Sequence, residues 1–413
     1  MDIRITPQKL IGAVTPPASK SMAHRAVLAM TLAGGTGTLS NLSDSQDIQA
    51  TKRCVEALKA PRPDGELPFL DCGESGSTLR FLIPIALAVA GGGVFTGHGR
   101  LMERPQQPYF DIFDEKGIFY EQKDGVLTVQ GTLTPGVYHL PGNVSSQFVT
   151  GLLYALPLLS GDSTIKITTP LESSGYVDMT LDMLEKFGIS VENQNYETFR
   201  VPGKQTYTAR DIAVESDWSQ AGFWYAANFL DNHVSIQGLD SSSTQGDRVV
   251  ASLYWKLAKP GDVDIDVSGC PDLLPPLAVM AAIRQGTTRF INAARLRIKE
   301  SDRLATTAAL LNALGGRAED SPDSLTVQGI MSFTGGTVDG ANDHRIVMAA
   351  AIAATHSAAP VTILGAEAVN KSYPSFWEDY KRLGGVFEVL GIWKAAAGVG
   401  LRPVSRQGHR REY

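Results

Sequence analysis

The chain has 413 residues, 43% of them hydrophobic and 19% charged, with a formal net charge of −6 at pH 7. That length exceeds one ordinary domain and predicts two. The acidic balance speaks against a nucleic-acid groove or a membrane-surface role, so any anion site must be a local basic cluster in an acidic molecule. Cys54, Cys72 and Cys270 show neither paired nor metal-ligand spacing, which fits a reducing compartment. The opening Met1-Asp2-Ile3-Arg4 lacks a signal pattern, and no apolar run approaches the ~20 residues of a membrane helix. These features predict a cytoplasmic protein.

In chain order, a polar opening followed by an apolar, alanine-rich helix recurs six times. Pro16-Pro17-Ala18-Ser19-Lys20-Ser21-Met22-Ala23-His24-Arg25 leads into a helix predicted over 26–33, and Gly73-Glu74-Ser75-Gly76-Ser77-Thr78-Leu79-Arg80 into one over 81–90. Pro141-Gly142-Asn143-Val144-Ser145-Ser146-Gln147 leads into 148–159, and Glu215-Ser216-Asp217-Trp218-Ser219-Gln220 into 221–230. Gly269-Cys270-Pro271-Asp272 leads into 273–283, and Gly340-Ala341-Asn342-Asp343-His344-Arg345 into 346–354. Helices apolar on nearly every side are buried rather than amphipathic. After each comes a β-rich segment and a more polar helix, over 47–58, 108–116, 177–187, 248–257, 300–314 and 372–383.

Such self-similarity marks a repeat architecture, and copies of about 55–75 residues are too long for a solenoid unit. Three copies per domain, with sheets packed around three buried helices, give an α/β class.

The openings carry the chemistry. A buried helix leaves about four unpaired N–H groups and a partial positive charge at its N-terminus, which suits an anion. Taken singly, each Ser or Asp reads as an N-cap worth about 1 kcal/mol. Taken together with Lys20, Arg25 and Arg345, the six ends predict a cleft for a polyanion. One further stretch stands out. After a strand predicted over 287–292, Arg295-Leu296-Arg297-Ile298-Lys299-Glu300-Ser301-Asp302-Arg303 puts four cations and two carboxylates before a helix over 304–314. A helix dipole disfavours cations at that end unless an anion neutralises them.

Nucleotide fingerprints are absent. Gly73–Arg80 lacks the Lys-Ser/Thr ending of a P-loop, and Gly35-Thr36-Gly37 is followed by no third spaced glycine. A Ser-His-Asp hydrolase is unsupported too. No Gly-x-Ser-x-Gly elbow occurs, and His24 and His344 each adjoin an Arg, where a general base is disfavoured.

Together with Glu103-Arg104-Pro105, these motifs resemble, in the same order, those of the 5-enolpyruvylshikimate-3-phosphate synthases of the enolpyruvyl transferase family. The most specific are Lys20-Ser21, Ser145-Ser146-Gln147 and Lys299-Glu300-x-Asp302-Arg303, and the likeness runs to about residue 388. The resemblance implies two inverse-βα-barrel-like domains of three βαβαββ-type repeats each, one over 16–215 and one combining 1–15 with 216–413. It places the active site in the cleft between them. It also implies the partners shikimate 3-phosphate and phosphoenolpyruvate, no cofactor, no metal and a monomer.

By the same resemblance, Lys20, Ser21 and Arg25 would hold shikimate 3-phosphate and orient phosphoenolpyruvate, and Lys20 would count among the catalytic residues. Ser145, Ser146 and Ser173 would grip the 3-phosphate, with Gln147 between the substrates, Tyr176 against the ring and Lys299 on the shikimate side. Gly76 would let phosphoenolpyruvate approach the backbone, and Arg104, Arg303, Arg345 and Lys371 would neutralise its charges. Asp272 would be the base at the 5-hydroxyl, and Glu300 the acid at the methylene carbon.

The chemistry asks for these residue types on its own terms. Adding a hydroxyl to an enol ether needs one group to give a proton and one to take it, and two carboxylates in different environments serve. Cations alone would keep Glu300 ionised, so its acid role requires burial or ligand charge.

Three features depart from the family pattern. Residues 59–71 are short and proline-rich, which predicts a first repeat without its strand pair; Arg295 receives no role; and 391–413 reads as a disordered tail. The competing readings are a UDP-N-acetylglucosamine carboxyvinyltransferase and a non-catalytic anion-binding repeat protein. The first carries a reactive Cys before its Arg-Pro, whereas the loop from His98 to Pro105 has none.

Overall fold

The computed structural model describes residues 1–391. The expectation for 391–413 lies outside the described residues, apart from Gly391, which ends the last strand. The first six helices are α1 (Lys20–Ala33), α2 (Gln46–Lys59), α3 (Gly76–Ala90), α4 (Gln107–Lys116), α5 (Ser146–Ala155) and α6 (Ser174–Lys186). The next six are α7 (Trp218–Phe229), α8 (Val250–Ala258), α9 (Leu274–Ile283), α10 (Arg303–Ala313), α11 (His344–Ala354) and α12 (Phe376–Arg382).

The odd-numbered helices up to α9, together with α11, are the buried ones, and several start earlier than their apolar runs. Ser19 Oγ accepts from Met22 N at 3.2 Å and Ser75 Oγ from Thr78 N at 3.2 Å. These caps place Lys20–Arg25 and Gly76–Arg80 inside the first turns of α1 and α3 instead of in loops. The reverse holds at α10. Its cap is Asp302, whose Oδ1 accepts from Ala305 N at 3.2 Å, so Glu300 stands outside the helix, after a 3₁₀ turn over Ala294–Ile298.

Four repeats build four-stranded sheets on one plan. In the order Phe69–Asp71, Gly92–Thr96, Val126–Gln130, Phe119–Lys123, the first pair is parallel around α3 and the other two are antiparallel. Val137–Leu140 and Val263–Asp266 begin two sheets of the same pattern. In the last sheet, Gly336–Asp339 and Val361–Leu364 are completed by the N-terminal strand Asp2–Thr6 and by Val386–Gly391. The first and fourth copies both lack the antiparallel pair, and they exchange strands. Ile11–Val14 pairs in parallel with His233–Ile236, and Ile212–Ala213 with Leu39–Ser40.

The buried apolar side chains form two clusters. One runs from Ala18 to Val214; the other joins Ile3–Val14 to residues from Trp218 onward. The chain passes between the two halves twice, and the passages are tied side by side. Ser19 N donates to Glu215 O at 2.7 Å, and Asp217 N to Pro17 O at 2.9 Å. Both therefore deliver the chain to a helix opening, α1 on one side and α7 on the other. Helix contacts are close enough to require glycine: a Cβ on Gly151 of α5 would lie 2.2 Å from Tyr109 Oη. That hydroxyl donates to Arg80 O at 2.7 Å and Phe148 O at 3.1 Å, tying α3 to α5. No helix among the described residues is long and apolar enough to cross a membrane.

Leu277, in the middle of α9, is fully buried. Leu277→Ala should lower the unfolding free energy by about 2–5 kcal/mol, the range for such cavities, measured by urea titration followed by circular dichroism.

Candidate active site

Between the halves lies a cavity lined by residues of both. It collects the openings of α1, α3, α5, α6, α7, α9 and α11, and the turn before α10. Lys20, Ser21, Arg25, Gly76, Arg104, Ser145, Ser146, Gln147, Ser173 and Tyr176 line it from the first half, and Asp272, Lys299, Glu300 and Arg345 from the second. Seven cationic side chains and four carboxylates face it, a surplus of positive charge that fits anionic ligands.

Several of these cations have no carboxylate in contact. Arg25, fully buried in α1, donates to Thr180 Oγ1 at 2.9 Å, Ser21 O at 2.8 Å and Tyr176 O at 3.1 Å, and lies 5.1 Å from the Phe81 ring centre. Burial pulls it down to about 10, still cationic at neutral pH. Arg104 has a buried Nε with no hydrogen-bond partner. A Cβ on Gly76 would sit 2.4 Å from Arg104 Nη1, so glycine there makes room for the guanidinium. Arg80, which received no role from sequence, donates to Gln147 Oε1 at 3.0 Å, and Gln147 Nε2 donates to Ser77 Oγ at 3.0 Å. The side chain of Gln147 is thereby oriented from both ends. Lys20 Nζ pairs with Asp47 at 2.8 Å, and its backbone N–H donates to Asp217 Oδ2, across the cleft, at 3.2 Å.

Two predicted ligand residues do not line the cavity. Arg303 is 1% exposed, and its guanidinium is spent on carboxylates. It meets Asp272 Oδ1 at 2.9 Å, Glu300 Oε2 at 2.8 Å and Asp343 Oδ2 at 2.8 Å. Lys371 is buried and donates to Glu74 Oε2 and to Asn342 O. Neither contact was legible, because the partners lie 40 and 297 residues away in sequence. Asp343 is the missed organiser: it caps α11, taking Arg345 N at 3.0 Å, while gripping Arg303 and Ser301 Oγ at 2.8 Å.

Asp272 also accepts from Tyr176 Oη at 2.7 Å, with Lys299 Nζ at 3.5 Å and Arg345 Nη2 at 3.8 Å. Burial alone would raise its carboxyl, but Lys299, Arg345 and Arg303 hold it well below the usual carboxylate range. Burial pushes Glu300 up too, and there Arg303 and Arg104 prevail, holding it well below that range. Both carboxylates are therefore ionised while the cations face them unshielded. Burial and the nearby cations keep His24 and His344 neutral, and His24 Nδ1 rests against Thr51 Oγ1 at 2.7 Å. Among the described residues, no three His, Cys, Asp or Glu gather as a metal site requires.

Fold and site together define a two-domain α/β enzyme of the inverse-barrel type, with a cation-rich cleft that also holds Asp272 and Glu300. Comparison with known proteins narrows this. The family model described as EPSP synthase (3-phosphoshikimate 1-carboxyvinyltransferase) matches residues 5–380. The 3-phosphoshikimate 1-carboxyvinyltransferase of Clostridium novyi (strain NT) is 43% identical over 95% of this chain and 100% of its own. That of Clostridium acetobutylicum is 44% identical over 93% of this chain and 97% of its own. Among solved structures, EPSP synthase from Acinetobacter baumannii superposes with a TM-score of 0.75 at 24% identity, covering 94% of this chain and 99% of the other. The enolpyruvyl transferase NikO from Streptomyces tendae gives 0.74 at 18% identity, covering 94% and 98%. The chain belongs to the EPSP synthase family.

Removing Asp343 leaves Arg303 with one fewer counter-charge in a dry site. Asp343→Ala should lower the unfolding free energy by about 3–5 kcal/mol, the usual result of breaking a buried pair, read by urea titration.

Proposed function

We propose that the chain transfers the enolpyruvyl group of phosphoenolpyruvate to the 5-hydroxyl of shikimate 3-phosphate, releasing phosphate. The observation that carries this reading is one cavity holding Lys20, the Ser145-Ser146-Gln147 opening, Asp272 and Glu300 beneath a surplus of cations. In this reading Lys20, Ser21, Arg25, Ser145, Ser146, Ser173, Tyr176 and Lys299 hold the shikimate side, and Lys20, Ser21 and Arg25 also orient phosphoenolpyruvate. Gln147 lies between the substrates, and Gly76, Arg104 and Arg345 hold the phosphoenolpyruvate side.

The 5-oxygen bonds to C2 of phosphoenolpyruvate as its proton passes to Asp272, and Glu300 delivers a proton to C3. The tetrahedral intermediate then loses phosphate from C2, which leaves with the proton held by Asp272, as C3 returns its proton to Glu300. For the first step Glu300 must carry a proton, against the pull of the cations around it. The charges of two bound anions offset Arg104 and Lys20, which weakens the pull against burial and moves Glu300 toward its protonated form. Arg303 acts by holding both carboxylates, and Lys371 from beside Asn342.

The domains in this proposal are 16–215, and 1–15 with 216–413. The two apolar clusters and the strand exchange support that division. A monomer in the cytoplasm completes the proposal.

Phosphate release from shikimate 3-phosphate plus phosphoenolpyruvate is the direct test. Activity with UDP-N-acetylglucosamine and none with shikimate 3-phosphate would refute the proposal. Glu300→Gln and Asp272→Asn should retain substrate binding and lose about 10²–10⁴ in kcat, the usual contribution of a general acid or base. Normal turnover by either variant would remove its assigned role.

Burial, with Arg303 and Arg295, pulls Lys299 down to about 8 against the opposing charge of Asp272. A lysine binds an anion as the ammonium, so kcat/KM for shikimate 3-phosphate should fall as pH rises through about 8. Lys299→Arg keeps its charge and should move that limb upward; an unmoved limb would assign it to another group.

A further inference from the structure

The cage proposed for the 3-phosphate is made of hydroxyls, and one of them is not free to donate. Ser173 caps α6 in the left-handed region, at φ 55°. Its Oγ donates to Ser268 O at 3.1 Å and accepts from Arg295 Nη2 at 2.7 Å. A hydroxyl has one proton, and that of Ser173 is already committed to Ser268 O.

Arg295 stands next to it, on the 3₁₀ turn before Lys299 and Glu300, and lines the same cavity. It is 8% exposed, and three of its donors are accounted for. Nη2 gives to Ser173 Oγ and, at 2.6 Å, to Ser268 O, while Nε faces Glu172. A guanidinium has five N–H donors. Among the described residues nothing accepts from Nη1, and Nη1 is not among the atoms sealed from the cavity without a partner. A phosphate dianion removed from water needs a charged donor as well as hydroxyls.

Building on the function proposed above, we infer that Arg295 supplies the counter-charge for the 3-phosphate, reaching it from the opposite half of the molecule. Ser173 positions that guanidinium and is not itself the anion's donor. Arg295 thereby discriminates a phosphorylated shikimate from an unphosphorylated one.

The test measures binding of shikimate 3-phosphate and of shikimate by calorimetry, with kcat and KM alongside. Arg295→Met should weaken shikimate 3-phosphate about 10–100-fold, the worth of one charged hydrogen-bonding group, and leave shikimate unchanged. Arg295→Lys should restore part of the loss, and it carries the same comparison if the Met variant does not fold. Glu172→Gln frees the guanidinium and should leave shikimate 3-phosphate binding equal or tighter.

Equal weakening of both ligands by Arg295→Met would overturn the inference, since a structural role alone produces that. Weakening by Glu172→Gln as large as that by Arg295→Met would overturn it too. Wild-type protein that binds shikimate 3-phosphate no better than Arg295→Met overturns the inference alone. Wild-type protein that neither binds nor turns over shikimate 3-phosphate overturns the proposed function as well.

Discussion

One buried guanidinium holds the site together. Arg303 lies between Asp343, Asp272 and Glu300, each within 2.9 Å, with Ser301 completing the shell around Asp343. A lone charge so deep would be costly, and three carboxylates around it raise the guanidinium above its ordinary range. The arrangement fixes more than a charge balance. Because one planar fork grips both Asp272 and Glu300, their separation and orientation are set by a rigid group, not by two flexible side chains. It also couples them electrostatically, so protonating either one strengthens the hold of Arg303 on the other.

The second consequence concerns which half owns what. Arg303, Asp343, Asp272 and Glu300 all belong to the second half, whereas the hydroxyl cage and most unpaired cations belong to the first. The carboxylates and the guanidinium that holds them thus form one preassembled unit, and the hydroxyls with the unpaired cations another. The paired passages at Ser19 and Asp217 join them. Each passage ends on a helix opening that faces the cleft, so the connection carrying the chain across also delivers Lys20 and Asp217 to it.

Much of this was legible because the signals are local. A small polar cap followed by an alanine-rich helix can be read in a window of some ten residues, and the six openings do converge. The helix starts were misread where the cap itself is the informative residue: Ser19 and Ser75 start α1 and α3 early, and Asp302 starts α10 late. The strand exchange was not legible. Ile212–Ala213 and Ile11–Val14 are short, and nothing in them records which strand they will lie beside. The same limit hid Asp343, read as part of an opening while its main partner is Arg303, and Arg80, whose partner Gln147 is 67 residues on. Arg295 was anomalous in sequence because its environment, Glu172, Ser173 and Ser268, comes from two other parts of the chain.

Two ion pairs join a cation of the second half to a carboxylate of the first: Lys371 with Glu74, and Arg295 with Glu172. Deeper in the cleft the pairing fails, and Arg25 and Arg104 have no carboxylate in contact. Unpaired cations inside the cleft make a positive potential there, which concentrates anions. The interior charge that lowers Glu300 is charge that a bound anion would offset, so anion binding in the cleft and protonation of Glu300 are linked.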